Sequence, residues 1–501
     1  MIAVRVRRIL AGLSLLAVTA LFLDMTGVMH AWLGWMAKLQ LLPAVMAGNL
    51  AVIAGIAVVT LVFGRIYCSL ICPLGIFQDG VSWLSGMRSH GRKRLRFGWL
   101  PERKWLRYGV LGLFVLALVS GVSVFVAVLA PYSAYGRIVG NLLQPLWLWS
   151  NNLLAKLAEH YDSYAFYTRD VWLKSLPALI VAAVTFVVLS VLAWWKGRVY
   201  CNTICPVGAV LGLLSRFAMF RPVIDAAKCR DCRMCEKGCK ASCIDVANHR
   251  IDYSRCVDCL DCLGECKFDA LKYRFAWGRK TEGAEAGAGA DLDHGRRAFI
   301  VGTAMVAGTV TLGAQRKKFD GGLAALENKR EPRRTGRLVP PGARSANDFY
   351  SRCTACGLCV AACPNGVLRP SGDLEHLMQP YMSYERGYCR PECSECSLVC
   401  PTGAILPIRA EQKAGISIGT AEVNYDLCVV NRDGVNCGNC ASHCPTGAIH
   451  MVAKDPGNER SLRIPSVDTS ACIGCGRCEY LCPSRPYSAI HVNGRENHIE
   501  L

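Results

Sequence analysis

Most of the 29 cysteines in this 501-residue chain fall into six short runs of four, and this repetition constrains the fold more than any other feature. Each run follows or approximates the spacing Cys-x-x-Cys-x-x-Cys-x-x-x-Cys. The first two runs are Cys229, Cys232, Cys235, Cys239 and Cys256, Cys259, Cys262, Cys266. The later four are Cys353, Cys356, Cys359, Cys363; Cys389, Cys393, Cys396, Cys400; Cys428, Cys437, Cys440, Cys444; and Cys472, Cys475, Cys478, Cys482. A chain with these runs must fold so that its thiols converge in groups.

Thiols at this spacing are typical ligands of iron–sulfur clusters. In two-cluster ferredoxins, three thiolates of such a run bind one [4Fe-4S] cluster and the fourth binds its neighbour. Disulfide scaffolds belong to short secreted chains, and their cysteines have irregular spacing. Structural zinc sites use two short Cys pairs separated by a longer loop. The six runs therefore predict about six [4Fe-4S] clusters.

The first two runs leave one ligand ambiguous. By the crossed arrangement, Cys266 completes the cluster of the first run and Cys239 completes that of the second. Neither of these cysteines precedes a proline, and an additional Cys243 follows shortly after Cys239. Either Cys239 or Cys243 could be the remote ligand, and the spacing favours Cys239.

In the four later runs, the last cysteine always precedes a proline. These prolines are Pro364, Pro401, Pro445 and Pro483. Proline fixes the direction of the chain after the ligand and cannot donate a backbone hydrogen bond. An insertion widens the gap between Cys428 and Cys437, so Cys428 is the least secure ligand. Spacing alone does not fix which of these runs exchange their fourth ligands.

Four apolar stretches are long enough to cross a hydrocarbon core of ~30 Å. They lie at about 9–27, 42–63, 108–130 and 174–195. Basic residues cluster before the first stretch, between the second and third, and after the fourth, which places those loops on the cytoplasmic side. We therefore expect a four-helix transmembrane domain at 1–221, in contact with membrane lipid, and a multi-pass protein of the inner (cytoplasmic) membrane.

The connection at about 131–173 is rich in tryptophan, tyrosine and leucine. Such residues favour a membrane interface, so interfacial anchoring is the simpler interpretation. The alternative is that these side chains form a wall of a quinol pocket.

A second repeat lies within the apolar region. Residues 64–75 read GRIYCSLICPLG and residues 197–208 read GRVYCNTICPVG. The four cysteines of this repeat could bind a metal or cluster, or form redox-active disulfides. They are Cys68, Cys72, Cys201 and Cys205. The alternative is helix termination with inert, buried thiols, but a bend needs glycine and proline rather than paired cysteines. We therefore favour a redox or metal site.

The remaining chain divides at changes of composition. We expect a cytoplasmic two-cluster ferredoxin domain at 222–275 and a flexible linker at 276–295. Arg296 and Arg297 then precede a weakly apolar run, which resembles a twin-arginine export signal or anchor at 296–318. The alternative for this segment is an ordinary fifth transmembrane helix, and the sequence does not show whether 298–314 is cleaved. A linker at 319–350 leads to a four-cluster domain at 351–501, which export would place in the periplasm.

Composition argues against several other functions. The formal net charge is +19, but six oxidised clusters with their thiolates would reduce it to roughly +7, and the basic residues lie beside apolar segments. We therefore expect no nucleic-acid partner. The chain has no Cys-x-x-Cys-His haem motif, no phosphate-binding loop and no nicotinamide fingerprint. Electrons must enter from a quinol, a partner protein or a small donor.

These motifs together resemble two known families. Residues 1–275, with four apolar segments, two Cys-x-x-x-Cys-Pro copies and a pair of cluster motifs, resemble the polyferredoxin membrane family that includes NapH and NosR. The part from Arg296 onward resembles NapG and related four-cluster ferredoxins. The chain thus resembles a fusion of the two. We accordingly expect a multidomain fold, with an α-helical transmembrane bundle and α+β ferredoxin-like [4Fe-4S] domains.

The resemblance also implies a function and a ligand pattern. It implies quinol oxidation coupled to electron delivery to a periplasmic oxidoreductase such as nitrate reductase, with this chain as an electron-transfer component. It further implies that, of the four later runs, the first exchanges ligands with the fourth and the second with the third. An alternative function is redox maturation or maintenance of a periplasmic metalloenzyme.

Overall fold

The computed structural model describes residues 2–24, 26–87, 97–163, 166–276, 328–458 and 461–501. The twin-arginine-like segment at 296–318 and nearly all of the linker at 276–295 lie outside the described residues. So does most of the basic loop that was predicted between the second and third apolar stretches.

In the described residues before 220, all regular secondary structure is helical. Apolar side chains dominate these helices, and glycine or proline stands at many of their ends. The helices are Ile2–Leu23, Val28–Leu33, Trp35–Lys38, Leu41–Met46, Leu50–Phe63, Ile66–Leu70, Pro73–Met87, Lys104–Val119, Ser123–Leu129, Pro131–Ile138, Gln144–His160, Leu176–Lys196, Val199–Thr203 and Pro206–Ser215, with a π-helical turn at Val139–Leu143.

Two of the helices are long and apolar enough to cross a membrane, Val4–Leu23 and Leu176–Lys196. A third span results if the bent pair Ser123–Leu129 and Pro131–His160 is counted as one. The predicted spans at 42–63 and 108–130 are not continuous helices. Gly48 and Gly121 interrupt them with φ values of 68° and 75°, a left-handed conformation that glycine adopts readily and that a helix cannot contain.

The region 220–275 combines short strands with single-turn helices. Phe220–Ile224 pairs antiparallel with Leu271–Phe275 and so brings its two ends together. Ile244–Asp245 and Arg250–Ile251 form a second antiparallel pair between them. The helices are Met234–Lys237 and Asp261–Glu265, and each begins within a cysteine run.

The C-terminal region has the same construction, with three two-stranded antiparallel sheets. The strand pairs are Leu368–Pro370 with Pro380–Met382, Ile416–Val423 with Ile490–Glu500, and Ile449–Ala453 with Arg463–Val467. The helices are Ala346–Arg352, Leu358–Ala362, Glu395–Val399, Ala410–Ala414, Val429–Arg432, Asn439–Ser442 and Arg477–Leu481. The chain is therefore multidomain and mainly helical with short strands.

The two cysteine-rich regions contact opposite ends of the apolar helices. At the start of Ile2–Leu23, Arg8 donates a 2.9 Å hydrogen bond to Asp261 of the first region. At its end, Gln144 Nε2 donates both to the Phe22 carbonyl at 3.3 Å and to the Ala361 carbonyl of the C-terminal region at 3.4 Å. A 22-residue helix is about 33 Å long. The helical region therefore lies between the two cysteine-rich regions.

Candidate metal centres

Four cavities in the described part of the chain are lined by cysteines of the predicted runs. Their empty volumes are ≈ 360 to ≈ 380 Å³, part of which is open to solvent. The cysteines in each are Cys229, Cys232, Cys235 and Cys266; Cys239, Cys243, Cys256, Cys259 and Cys262; Cys363, Cys389, Cys393 and Cys396; and Cys428, Cys437, Cys440 and Cys482. In each cavity, three cysteines come from one run and a further cysteine comes from a different run.

Two further groups complete the pattern. Burial raises the pKa of the Cys359 thiol, and the nearby thiols of Cys353, Cys356 and Cys400 raise it further. In the same way, burial raises the pKa of Cys475 to about 12, and the nearby thiols of Cys389, Cys472 and Cys444 raise it further. Cys478 of the same run interacts with both Cys475 and Cys472. Six groups of converging cysteines thus lie at the positions of the six runs.

The grouping of the later runs differs from the nested exchange that the family resemblance implied. Cys400 joins the run that begins at Cys353, and Cys363 lines the cavity of the run that begins at Cys389. Cys482 and Cys444 make the same exchange between the last two runs. Neighbouring runs therefore share ligands, because two strand pairs, Leu368–Pro370 with Pro380–Met382 and Ile449–Ala453 with Arg463–Val467, return the chain between them.

Cys239 and Cys243 both line the cavity of the second run. Their sulfurs are 3.5 Å apart. The hydrogen bond from Cys243 lowers the pKa of the Cys239 thiol to about 7. Cys239 also interacts electrostatically with Cys259 and Cys262. Cys239 is therefore the more readily ionised thiol, and it faces two cysteines of the second run.

Left-handed backbone turns inside the runs were not predicted. In the four regularly spaced runs, the residues two and four positions after the first cysteine have positive φ. These residues are Asp231, Arg233, Asp258, Leu260, Ala355, Gly357, Gly474 and Gly476. Left-handed residues at such turns direct neighbouring backbone N–H groups toward one side and create a concave site for an anionic group. Glycine at two of the runs was the one signal of this in the sequence.

The chemistry of these groups fits iron–sulfur clusters. Burial raises the pKa of Cys235 to about 12 and that of Cys262 and Cys359 well above the ordinary value. Without a cation, such thiols would stay protonated at neutral pH. Iron offsets the charge of four clustered thiolates, and metal binding releases their protons. The cysteine groups are therefore suited to bind a cationic core.

The paired motifs at 64–75 and 197–208 form one buried site. Cys68, Cys72, Cys201 and Cys205 are between 4% and 6% exposed, and their sulfurs interact electrostatically with one another. No three of these sulfurs lie within 4.8 Å of one another in the described structure. We call this group the four-cysteine site.

The arginine of each copy donates a hydrogen bond to a backbone carbonyl of the other copy. Arg198 donates a 2.7 Å hydrogen bond to the Cys68 carbonyl, and Arg65 donates a 3.2 Å hydrogen bond to the Cys201 carbonyl. A Cβ at Gly75 or Gly208 would collide with these same two carbonyls, which explains the glycine at the end of each copy. The repeat is therefore a matched pair of structural units around the cysteines.

The charges around the four-cysteine site are unequal. Both arginines are fully buried, at 0% exposure. Arg198 pairs with Asp79, whereas the Arg65 guanidinium bonds to the Asn202 amide oxygen and the Ser254 carbonyl and forms no salt bridge in the described residues. Gln78 donates toward the Cys201 sulfur at 3.4 Å. The Arg65 guanidinium also lies 3.9 Å from the Cys68 sulfur, and a buried cation at this position favours an anionic group among the four cysteines.

A different set of donors could hold a single ion. Cys229, Asp231 and His249 have ligand atoms within 4.8 Å of one another. This set is partly exposed and shares Cys229 with the first run. Aspartate and histidine at these positions were not predicted as ligands.

Comparisons with known proteins find iron–sulfur domains at the four-cysteine site and at the four later runs. A family model described as "4Fe-4S binding domain" matches residues 45–96 and 175–223. A model described as "4Fe-4S dicluster domain" matches residues 352–404 and 434–485. The first dicluster match contains two neighbouring runs, and the second contains the last two runs without Cys428. The exchange of ligands in the structure likewise joins neighbouring runs.

The relatives are ferredoxin-type proteins. The "Methylamine utilization ferredoxin-type protein MauM" of Methylobacillus flagellatus is 36% identical over 181 residues, which cover 35% of this chain and 75% of MauM. The "Ferredoxin-type protein NapG" of Escherichia coli is 31% identical over 176 residues, 32% of this chain and 75% of NapG. The chain belongs to this family of ferredoxin-type proteins. No solved structure matches it.

Membership of the ferredoxin-type family confirms the predicted resemblance to NapG and the prediction of [4Fe-4S] chemistry. Iron–sulfur electron transfer is therefore the activity of this chain. The relatives account for about a third of its length. The helical region with the four-cysteine site adds a second part, which the "4Fe-4S binding domain" model matches.

Proposed function

We propose that this protein is a membrane-bound iron–sulfur carrier that takes electrons from quinol and delivers them to a periplasmic oxidoreductase. The observation that carries the proposal is the position of two cysteine-rich regions at opposite ends of the apolar helices. If those helices cross the inner membrane, region 222–275 faces the cytoplasm and region 351–501 faces the periplasm. In this arrangement the chain resembles a NapH-like membrane protein fused to a NapG-like ferredoxin.

Six cysteine groups would hold the proposed [4Fe-4S] clusters, with Cys243 as the alternative to Cys239. Such a cluster supplies reversible one-electron transfer without proton chemistry. The protein fixes the thiols, buries them and surrounds them with backbone N–H groups. Different burial and charge at each group would give the clusters different reduction potentials.

The four-cysteine site occupies the gap between the two regions. The Arg65 backbone N–H donates a 2.9 Å hydrogen bond to Asp258, which lies between two ligands of the second run. On the other side, Arg137 interacts with Tyr200 and with Cys356 of the C-terminal region. Tyr200 directly precedes Cys201. We infer that a redox group at the four-cysteine site connects the two regions, which a single ~30 Å step across hydrocarbon could not do.

The topology is tested with spheroplasts and an impermeant protease. We expect cleavage of tags placed after residue 501 and protection of a tag inserted in the exposed turn near residue 248. Cleavage of both tags, or of neither, in intact spheroplasts would contradict the proposed topology.

Quinol oxidation is tested by mixing the purified, cluster-loaded protein with a reduced quinol analogue in a stopped-flow spectrometer. We expect bleaching of the iron–sulfur absorbance. A Cys205→Ser variant that retains its six cysteine groups should show a smaller loss of iron–sulfur absorbance, because the clusters of one region then no longer receive electrons from the quinol. Loaded protein that oxidises no quinol analogue would show that electrons enter elsewhere.

The alternative function, redox maturation of a periplasmic metalloenzyme, is separated by deletion of the gene. A dedicated electron carrier leaves the target enzyme fully loaded with its cofactor but without electron supply. A maturation factor leaves the target without its cofactor.

A further inference from the structure

The first cysteine group of the C-terminal region is enclosed partly by the helical region. This group consists of Cys353, Cys356, Cys359 and Cys400. Gly136 lies so close to the Cys356 carbonyl that a Cβ there would collide with it. Ser123 donates a 3.2 Å hydrogen bond to Gln379, whose amide donates in turn to the Cys353 carbonyl at 2.8 Å. The helical region therefore packs directly against the Cys356 backbone and reaches the Cys353 backbone through Gln379.

Lys174 approaches the same run from another side. Its ammonium donates to the Val360 carbonyl at 3.3 Å and to Gln144 at 3.2 Å. The Val360 carbonyl belongs to the short helix Leu358–Ala362, and a cation is favourable near the C-terminus of a helix. Lys174 also interacts electrostatically with Cys363, which lines the cavity of the neighbouring group, and with Cys359 of this group. No carboxylate forms a salt bridge with Lys174 in the described residues.

Arg137 is a second cation at this group. It is 3% exposed, and its guanidinium donates to the Ala127 and Val128 carbonyls of the helical region. It forms no salt bridge in the described part of the chain. Burial raises the pKa of Cys356 to about 12, and the Arg137 charge acts in the opposite direction. The positive charge of Arg137 therefore acts on Cys356 of the first cysteine group, and no carboxylate in the described residues forms a salt bridge with it.

Tyr132 adds an uncommitted hydrogen-bond donor. Its side chain is 2% exposed, and its hydroxyl has no hydrogen-bond partner in the described residues. This phenol interacts electrostatically with Cys356 and Cys400. A buried hydroxyl without a partner is costly, so its position beside two ligand sulfurs indicates that it donates to the group bound there.

We propose that Tyr132, Arg137 and Lys174 raise the reduction potential of the cluster held by Cys353, Cys356, Cys359 and Cys400. This cluster would then be the one through which the helical region and the C-terminal region exchange electrons. The inference rests on the proposed binding of a [4Fe-4S] cluster by these cysteines. Two cations and a hydrogen-bond donor stabilise the more negative, reduced state, and both effects raise the potential of a cluster. The helical region thus acts as part of the cluster environment as well as an anchor.

The test is a potentiometric EPR titration of the full-length, cluster-loaded protein. The component that belongs to this cluster is identified as the signal lost in Cys400→Ser. In Arg137→Gln and in Lys174→Gln, we expect the equilibrium constant for reduction of this cluster to fall about tenfold. For a one-electron couple this corresponds to a reduction potential lower by ~59 mV. Tyr132→Phe, which removes only the hydroxyl, should shift it in the same direction. In Lys174→Gln the component of the neighbouring group, which includes Cys363, should shift as well, whereas the remaining components should keep their potentials.

Matched variants separate charge from structure. Arg137→Lys retains the charge and should stay close to the wild-type potential. Lys156→Gln removes an exposed cation from the neighbouring helix and should change nothing. If Arg137→Gln does not fold, Tyr132→Phe and Lys174→Gln decide the question.

The two levels of the argument fail differently. If the Cys400→Ser variant contains as much iron as the wild type and keeps every EPR component, cluster binding by this group is overturned. A cluster that is present and identified, but whose potential is unchanged in Tyr132→Phe and Lys174→Gln, would overturn the inference alone.

Discussion

Arg198 and Asp79 form a buried, two-point ion pair that joins the two copies of the cysteine repeat. The Arg198 Nε lies 2.7 Å from one carboxylate oxygen and Nη2 lies 2.7 Å from the other. The third nitrogen, Nη1, donates to the Cys68 carbonyl at 2.7 Å. Arg198 precedes Cys201, whereas Asp79 follows Cys72. The pair therefore determines how the two motifs face each other.

Removal of one partner should destabilise the helical region. We expect Asp79→Asn to cost about 3–5 kcal/mol, because a fully buried guanidinium is left without its carboxylate. Thermal unfolding in detergent measures the loss. Asp433→Asn is the matched control, since Arg432 and Asp433 form the same two-point pair, at 2.8 Å, with both side chains more than 40% exposed. Exposed pairs contribute ~0–1 kcal/mol. Equal losses in both variants would contradict the structural role of Asp79.

The contact between the helical region and the C-terminal region should depend on Gly136. Alanine usually stabilises a helix relative to glycine by about 1 kcal/mol, but a methyl group at Gly136 would collide with the Cys356 carbonyl and with Phe22. We expect Gly136→Ala to loosen the C-terminal region, measured as faster protease cleavage near residue 328. Gly140→Ala is the control, because a Cβ there meets nothing within 4 Å. Unchanged cleavage in Gly136→Ala would show that the two regions do not pack in this way.

His498 should make the C-terminal region sensitive to mild acid. Burial lowers the pKa of its imidazole to about 4, compared with an ordinary value near 6.5. Between these values the unfolded chain binds more protons than the folded chain, so the stability present at neutral pH is lost as the pH falls from about 6.5 to 4. His498→Gln should show a shallower loss of thermal stability over this range.

The control for this measurement is His160→Gln. His160 is exposed at the end of the helix Gln144–His160. This variant should keep the slope of the wild type, including any part that comes from acid lability of the clusters. Identical slopes in His498→Gln and the wild type would exclude the imidazole as the cause.

The cysteine spacing predicted which three thiols of each run lie together, but it did not predict which run supplies the fourth thiol. Spacing within a run determines which three thiols converge, because only a few residues separate them. The partner of the fourth thiol depends on strand pairs such as Leu368–Pro370 with Pro380–Met382, which return the chain before the next run. Hydropathy predicted apolar spans at about 9–27 and 174–195, and the helices Ile2–Leu23 and Leu176–Lys196 lie at these places. It could not predict the interruptions at Gly48 and Gly121, since these depend on backbone conformation rather than on apolar character.

The charges of the four-cysteine site were also beyond sequence reasoning. Arginine at the second position of each copy was visible in the repeat, but an arginine beside an apolar segment is ordinarily explained by the positive-inside rule. Only the structure shows that Arg65 and Arg198 are fully buried and reach across to the opposite copy.

The exchange of ligands between neighbouring runs can be tested by the iron content of double variants. Cys356 and Cys400 belong to one group in the structure, whereas Cys393 and Cys400 belong to two different groups although they lie in the same run. Because loss of a second ligand from the same cluster removes nothing further, Cys356→Ser with Cys400→Ser should lose about four iron atoms, the content of one cluster. Cys393→Ser with Cys400→Ser should lose about eight. Under the nested pattern implied by the family resemblance, Cys356→Ser with Cys400→Ser would lose about eight as well, since the two cysteines would then serve different clusters.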